Sequence, residues 1–246
     1  MTIHQVAQGT KAWMDLRAGI PTASRFDDII TPGGERSSSQ PRYMNHLLAE
    51  RIMGQPIDGF QSQAMADGNS FEDRAVAAYE LENDCETERI GFVTIDDGKI
   101  GCSPDRWIVG NDKGMVEAKS PTPAIHVSYL LAATGASQKY KVQLQGQLWV
   151  CEREWVDIVA YCPGMPTVTF RVSRDEEYIK ELAAHVRAFS GQLEEKAEQF
   201  RERGWIKERE IAEPQDVTGL GVSDEDLLWM KEGVHYPVGA LNQETK

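Results

Sequence analysis

Three charged residues within a short span could hold a metal ion and activate water: Asp105, closing "CSPD", and Glu117 and Lys119, in "MVEAK". Side chains alternate between faces along an extended strand, so Glu117 and Lys119 point the same way and Ala118 the other. A meander connection through "NDKG" would return the chain beside Asp105, bringing the three heads to one spot. Hard cations such as magnesium take oxygen ligands and are held by one or two carboxylates plus substrate phosphate oxygens. Asp105 and Glu117 would be those carboxylates, and the backbone carbonyl of Ala118 a third oxygen ligand. The Lys119 ammonium would orient the attacking water and lower its pKa, so the implied chemistry is phosphodiester hydrolysis. An acid and a lysine two positions apart are, by themselves, an ordinary solvated strand face. The Pro-Asp pair upstream, separated by a glycine turn, makes them a candidate site.

Several elements must carry these groups. "SFEDRAVAAYELE" reads as a helix opened by Ser70, with Asp73 at capping-box spacing, which places Glu72 in its first turn. "RIGFVTI", "IGCS", "RWIVG" and "MVEAK" read as an antiparallel meander. "AIHVSYLLA" is helical, "ATGASQK" a flexible loop, and "YKVQLQGQLWVCE" a second helix bearing Gln143, Gln145 and Gln147. "WVDIVAYC" and "TVTFRV" follow as strands. Near the start, "TKAWMDLRAG" predicts a short helix stopped by Gly19 and Pro21, and "TASRFDDII" another that Thr22 or Ser24 could cap. "TPGGERSSSQP" predicts a mobile loop, and "RYMNHLLAERIMG" an amphipathic helix. A long helix over 174–203 shows Ile179, Leu182, Val186, Phe189, Leu193 and Phe200 at helical spacing, an ordinary packing stripe. The order of elements gives a mixed α/β or α+β class, a central mixed β-sheet flanked by helices. One domain over 1–204 accounts for it, and 205–246 forms a C-terminal tail whose "SDEDLLWMKEG" reads as a short helix.

Composition narrows the classes. The chain has 246 residues, 41% hydrophobic and 26% charged, enough to bury a full core. No apolar run is long enough to span a membrane, and "MTIHQVAQGTKAW" lacks the apolar core of a signal peptide, so a soluble cytoplasmic protein is expected. Cys85, Cys102, Cys151 and Cys162 show no CxxC spacing, which argues against a zinc or iron-sulfur site. A net charge of −13 does not exclude a polyanionic partner, because a local groove can carry the opposite sign. Residues 172–246 hold 17 acids against 10 bases, so much of the acidity lies away from the candidate site.

"PD" at 104–105 with "EAK" at 117–119 resembles the PD-(D/E)XK nuclease superfamily, whose core is restriction-endonuclease-like. "WMDLRAGIPTAS", "GNSFEDRAVAAYE", "CSPD", "VEAKSP" and "QLQGQLWV", in that order, resemble the phage lambda exonuclease and YqaJ-type viral recombinase family from about Val6 to Phe200. The resemblance implies a magnesium-dependent exonuclease, with manganese able to substitute and two ions per active site. It implies digestion of one strand of linear duplex DNA from the five-prime end, releasing mononucleotides and leaving a three-prime overhang for strand annealing. By matching position, Asp105 and Glu117 would bind metal, Lys119 would activate water, and Glu72 and Gln143 would complete the site. Arg17 falls where the family binds the five-prime phosphate, with Ser24 and Ser103 beside it; an arginine fork suits phosphate oxygens. The resemblance also implies a homotrimeric ring threaded by DNA, with a single-strand annealing protein as companion and no membrane. Arg25, Arg36, Arg42, Lys139 and Lys141 are candidate DNA-facing bases, although "TPGGERSSSQP" offers only Arg36. Two other functions fit the same residues: an endonuclease of this superfamily, restriction-type or CRISPR-associated, and a nonenzymatic DNA-end binding scaffold.

Overall fold

The computed structural model describes residues 1–57, 63–132 and 135–206, with 63–70 and 135 as backbone only. Five strands form the main sheet in the order β2 (Thr87–Arg89), β5 (Arg106–Ile108), β6 (Gly114–Lys119), β7 (Trp155–Ala160) and β8 (Val168–Ser173). Every neighbour is antiparallel except β6 and β7, which pair in parallel with Glu117 opposite Ile158. A parallel pair needs a long crossover. It is supplied here by α4 (Pro123–Leu131), α5 (Gly135–Lys139) and α6 (Lys141–Val150).

Alternation along β6 sorts the sheet's two faces. Met115 joins the large core with Leu144 and Leu148 of α6, whereas Val116 joins a smaller core with Ala75 and Tyr79 of α3 (Gln63–Asn83). Glu117 and Lys119 therefore rise on the α6 face and Ala118 on the α3 face, as the strand period requires. A network on the buried Asp157 fastens α3 to the sheet: Tyr79 donates to Asp157 at 2.8 Å, and Arg171 grips the same carboxylate with two bonds of 2.8 Å. On the other face, α7 (Glu176–Glu202) buries Ile179, Leu182, Val186, Phe189 and Leu193. It opens at Asp175, whose side chain accepts from the Tyr178 amide, with Glu176 and Glu177 in the first turn where the helix dipole favours acids.

The structure corrects several expectations. The four meander strands do not form one ladder. β3 (Phe92–Ile95) and β4 (Ile100–Cys102) pair with β1 (Thr2–His4) in a separate three-stranded sheet, and the chain changes sheet across Ser103, Pro104 and Asp105. Proline has no amide to continue a ladder, which explains the break. β1 is too short to register as a sequence pattern. The helix does not open at Ser70: α3 begins at Gln63, so Glu72 lies in its interior. The segment 135–139 is helical rather than loop. Residues 31–41 are pinned by their own bonds: Thr31 N–H donates to Glu35 O at 2.7 Å and Gln40 Nε2 to the buried Ile29 O at 2.8 Å. The segment 23–28 is a 3-10 helix, and neither Thr22 nor Ser24 caps it; Thr22 precedes it with no side-chain cap bond. α1 (Lys11–Arg17) and α2 (Gln40–Met53) lie where the sequence predicts them. α7 ends just before the boundary placed at 204/205, and the expected helix at 223–233 lies outside the described residues.

Candidate active site

The site sits at the carboxyl end of β6, beside its parallel neighbour, where open sheets leave a crevice. Lys119 Nζ donates to Glu117 Oε1 at 2.7 Å, with Tyr140's ring 4.7 Å from the ammonium. Gln143 Nε2 donates to the same carboxylate oxygen at 2.7 Å, and Lys119 Nζ lies 3.4 Å from Gln143 Oε1. Asp105 arrives from the sheet change, and its Oδ2 accepts from the Ala118 amide at 2.8 Å. The three heads expected to meet do meet.

These contacts also orient the Ala118 carbonyl. Successive residues of a strand present their N–H and C=O to opposite neighbours. The Lys119 carbonyl accepts from the Tyr161 amide on the β7 side, and the Ala118 amide faces Asp105, so the Ala118 carbonyl faces Asp105 as well. Two carboxylates and one carbonyl are an oxygen set suited to a hard divalent cation. Charge points the same way. Burial and then the neighbouring Glu117 carboxylate push Asp105 well above the usual aspartate range, against the opposing pull of Lys119. Burial pulls the Lys119 ammonium down, but Glu117 and Asp105 outweigh it and hold it above the ordinary lysine value. Two acids with one ammonium leave an excess negative charge that a cation would neutralise. Among the described residues no three His, Cys, Asp or Glu side chains cluster as a ready-made metal cage, so the remaining oxygens would come from water and substrate.

Glu72 stands close enough for its charge to raise Asp105 further, yet its Oε1 accepts from Arg106 Nη1 at 2.6 Å. Sequence reasoning misses Arg106. It pairs across the sheet with Val116, hence faces α3, and it binds Glu72, Asp73 at 2.8 Å and the Asp105 carbonyl at 2.8 Å. Its signal is readable: an arginine directly after the candidate metal-binding aspartate, on the face turned toward two acids of the next layer. Gln145, by contrast, serves the scaffold. Its amide bonds the Ser173 carbonyl and the Asp175 amide, each at 2.9 Å.

A cavity of about 470 Å³ opens next to these residues, lined by Trp13, Arg17, Ser24, Arg25, His46 and Glu72 among others. Arg17 lies over the Trp13 ring at 4.1 Å, and its Nη2 is 3.5 Å from Ser24 Oγ. Ser103 does not line the cavity. It is tied in through Trp13, whose Nε1 donates to Ser103 Oγ at 2.8 Å. Trp13 thus links the arginine to the loop that carries Asp105, a role its place in a short amphipathic helix does not reveal. A buried corner sets this wall of the cavity. The Gly19 amide donates to Glu50 at 2.7 Å, Arg51 Nε donates to the Gly19 carbonyl at 2.7 Å, and Arg51 also bridges to Glu194 on α7 at 2.5 Å. Gly19 has φ +75, and a Cβ there would meet Arg51 at 2.5 Å, so both backbone and space require glycine.

The other candidate bases are distributed unevenly. Arg25 pairs with Asp28 at 2.6 Å and lies over Tyr43, and Lys141 lies over Tyr178. Lys139 lies over the Tyr140 ring; Arg36 and Arg42 are exposed. No helix among the described residues is long and apolar enough to cross a membrane.

Residues 12–154 match the sequence model of the YqaJ-like viral recombinase domain, a span holding every site residue above from Trp13 to Gln143. The chain belongs to that family. Among solved structures, an alkaline exonuclease from Laribacter hongkongensis is 29% identical, with a TM-score of 0.69 over 79% of this chain and 98% of that one. The same enzyme in complex with dAMP superposes with a TM-score of 0.70 at the same identity and coverage. A phage-related exonuclease from Haemophilus somnus 129PT shares the fold at 13% identity, with a TM-score of 0.58 over 75% of this chain and 96% of that one. No curated protein matches significantly. The YqaJ-like family and the mixed α/β fold are thus as the residues implied.

Proposed function

We propose that this chain is a divalent-metal-dependent exonuclease on linear double-stranded DNA. It would degrade one strand from the five-prime end to mononucleotides and leave a three-prime overhang for recombination by annealing. The observation that carries this reading is the convergence of Asp105, Glu117 and Lys119 at the end of β6, beside a cavity walled by Arg17 and Ser24. Family membership and the 29% identity to a protein described as an alkaline exonuclease support it.

Asp105, Glu117 and the Ala118 carbonyl would hold magnesium, or manganese in its place, and a second ion would depend on substrate phosphate oxygens. The bound metal supplies Lewis acidity at the scissile phosphate and a more acidic water. Lys119, held as an ammonium by two carboxylates, orients the attacking water and stabilises negative charge building on the phosphate. Gln143 steadies both Lys119 and Glu117. Arg17, backed by Trp13 and joined by Ser24, would take the terminal five-prime phosphate through charge-assisted bonds. A homotrimeric ring and a single-strand annealing partner belong to the same proposal, as does action inside a bacterial or phage-infected cell.

The test is a digest of five-prime end-labelled linear duplex beside closed circular DNA, with and without magnesium. The expected result is early release of labelled mononucleotide from the linear duplex, only with magnesium, and intact circles. Cleaved circles would assign an endonuclease, and bound but undegraded linear DNA a scaffold.

A further inference from the structure

One buried amide lies against the site without a part in the chemistry above. Gln143 and Gln147 are one helical turn apart on the same face of α6. Each donates to a different oxygen of Glu117: Gln143 to Oε1 at 2.7 Å, Gln147 to Oε2 at 2.9 Å. With Lys119 sharing Oε1, the carboxylate is gripped at both ends, so the twist of its plane is fixed from the helix as well as from the strand. Charge decides which way the Gln147 amide points. Turned over, it would set its carbonyl oxygen against a carboxylate oxygen, acceptor against acceptor.

With its NH2 committed, Gln147 keeps a second group unspent. The residue is 2% exposed, and its Oε1 accepts from nothing among the described residues. Buried acceptors left this way are uncommon in folded proteins and call for an explanation. The helix register that delivers this amide is itself constrained. Gly146 lets the 3-10 helix approach so closely that a Cβ there would meet the Phe26 ring at 2.6 Å.

We propose that Gln147 is a positioning residue for divalent-cation binding: it sets the Glu117 carboxylate in its cation-holding pose and offers its carbonyl oxygen to a water brought in with the ion. This rests on the metal-nuclease reading. Partners that hydrogen-bond a metal-ligating group typically account for roughly 10- to 100-fold in metal affinity.

The experiment is calorimetric titration of manganese into the full chain without DNA, for wild type, Gln147→Met and Asp105→Asn, with thermal unfolding in chelator as a check on folding. Methionine keeps the volume while removing donor and acceptor. The expected result is binding by wild type, none by Asp105→Asn, and an affinity roughly 10- to 100-fold weaker in Gln147→Met with its chelated melting curve near that of wild type. The magnesium concentration for half-maximal digestion should rise by a similar factor. Wild-type manganese affinity in Gln147→Met would overturn the role of Gln147 and leave the nuclease reading standing. No binding by wild type, or equal binding by Asp105→Asn, would overturn both. Should Gln147→Met melt prematurely, Gln147→Asn, which keeps an amide one methylene short of Oε2, replaces it: weakened manganese binding supports the role of Gln147, and wild-type affinity overturns it.

Discussion

The two sides of the candidate site are built on different principles. The β6 side is set by a sheet: Glu117 and Lys119 share a face because strands alternate, and α6 meets them with amides that bond the carboxylate. The α1 side is set by a corner: Arg17 ends a seven-residue helix and rests on Trp13, and the turn that follows is held at Gly19 by Glu50 and Arg51. Regular structure places the groups proposed to do the chemistry, and side-chain braces place the group proposed to take a terminal phosphate. Catalysis should therefore be sensitive to changes of charge at single atoms, and end recognition to distant packing.

Four experiments press on that contrast, in descending order of expected effect. Lys119→Ala should slow hydrolysis by about 3 kcal/mol, on the order of a hundredfold, while duplex binding in calcium persists; turnover and gel shift together measure it. Near-normal turnover would remove Lys119 from the chemistry. Gly19→Val forces a β-branched residue into φ +75 against Arg51, and should lower stability by about 2 kcal/mol, roughly 5 °C in melting temperature. An unchanged melting curve would mean that the corner yields freely. Arg17→Ala should cost about 1.5 kcal/mol, roughly tenfold, on five-prime-phosphorylated ends and nothing on hydroxyl ends. Equal loss on both would make Arg17 a general DNA contact.

The smallest effect concerns pH. Burial raises Glu194, but its bond to Arg51 outweighs this and holds it below the ordinary glutamate value. A depressed carboxylate contributes stability at neutral pH and loses it as pH falls through its folded value. The pair is partly exposed, so the contribution is under about 1 kcal/mol. The stability gap between wild type and Glu194→Gln should be present near about pH 7 and close as the pH falls through the lowered folded value of Glu194. A gap of constant size would show that the bridge carries no charge-dependent stability.

The trio of Asp105, Glu117 and Lys119 is legible in the sequence because its rule is local: a period of two, a turn, and residue types with one shared use. The cavity wall is partly legible, since Gly19 and Pro21 announce a corner but not what braces it. The position of Arg106 after Asp105 is readable, but its partner Asp73 lies 33 positions away and that of Trp13 lies 90 away, and no window along the chain contains both ends of such a contact. The division into two sheets is hidden because hydrophobic pattern identifies a strand without naming its neighbour, and the proline that parts the ladders reads equally well as a turn. Glu72 falls on the expected element with a different start, since a helix can run through a serine that looks like its cap.

The chain hands over from one sheet to the other at Ser103, Pro104 and Asp105. One acid of the pair is thus anchored at a seam and the other within a continuous ladder. Their spacing is accordingly a gauge of how the two sheets sit against each other: sliding one layer along the other would open or pinch the gap before any strand came apart.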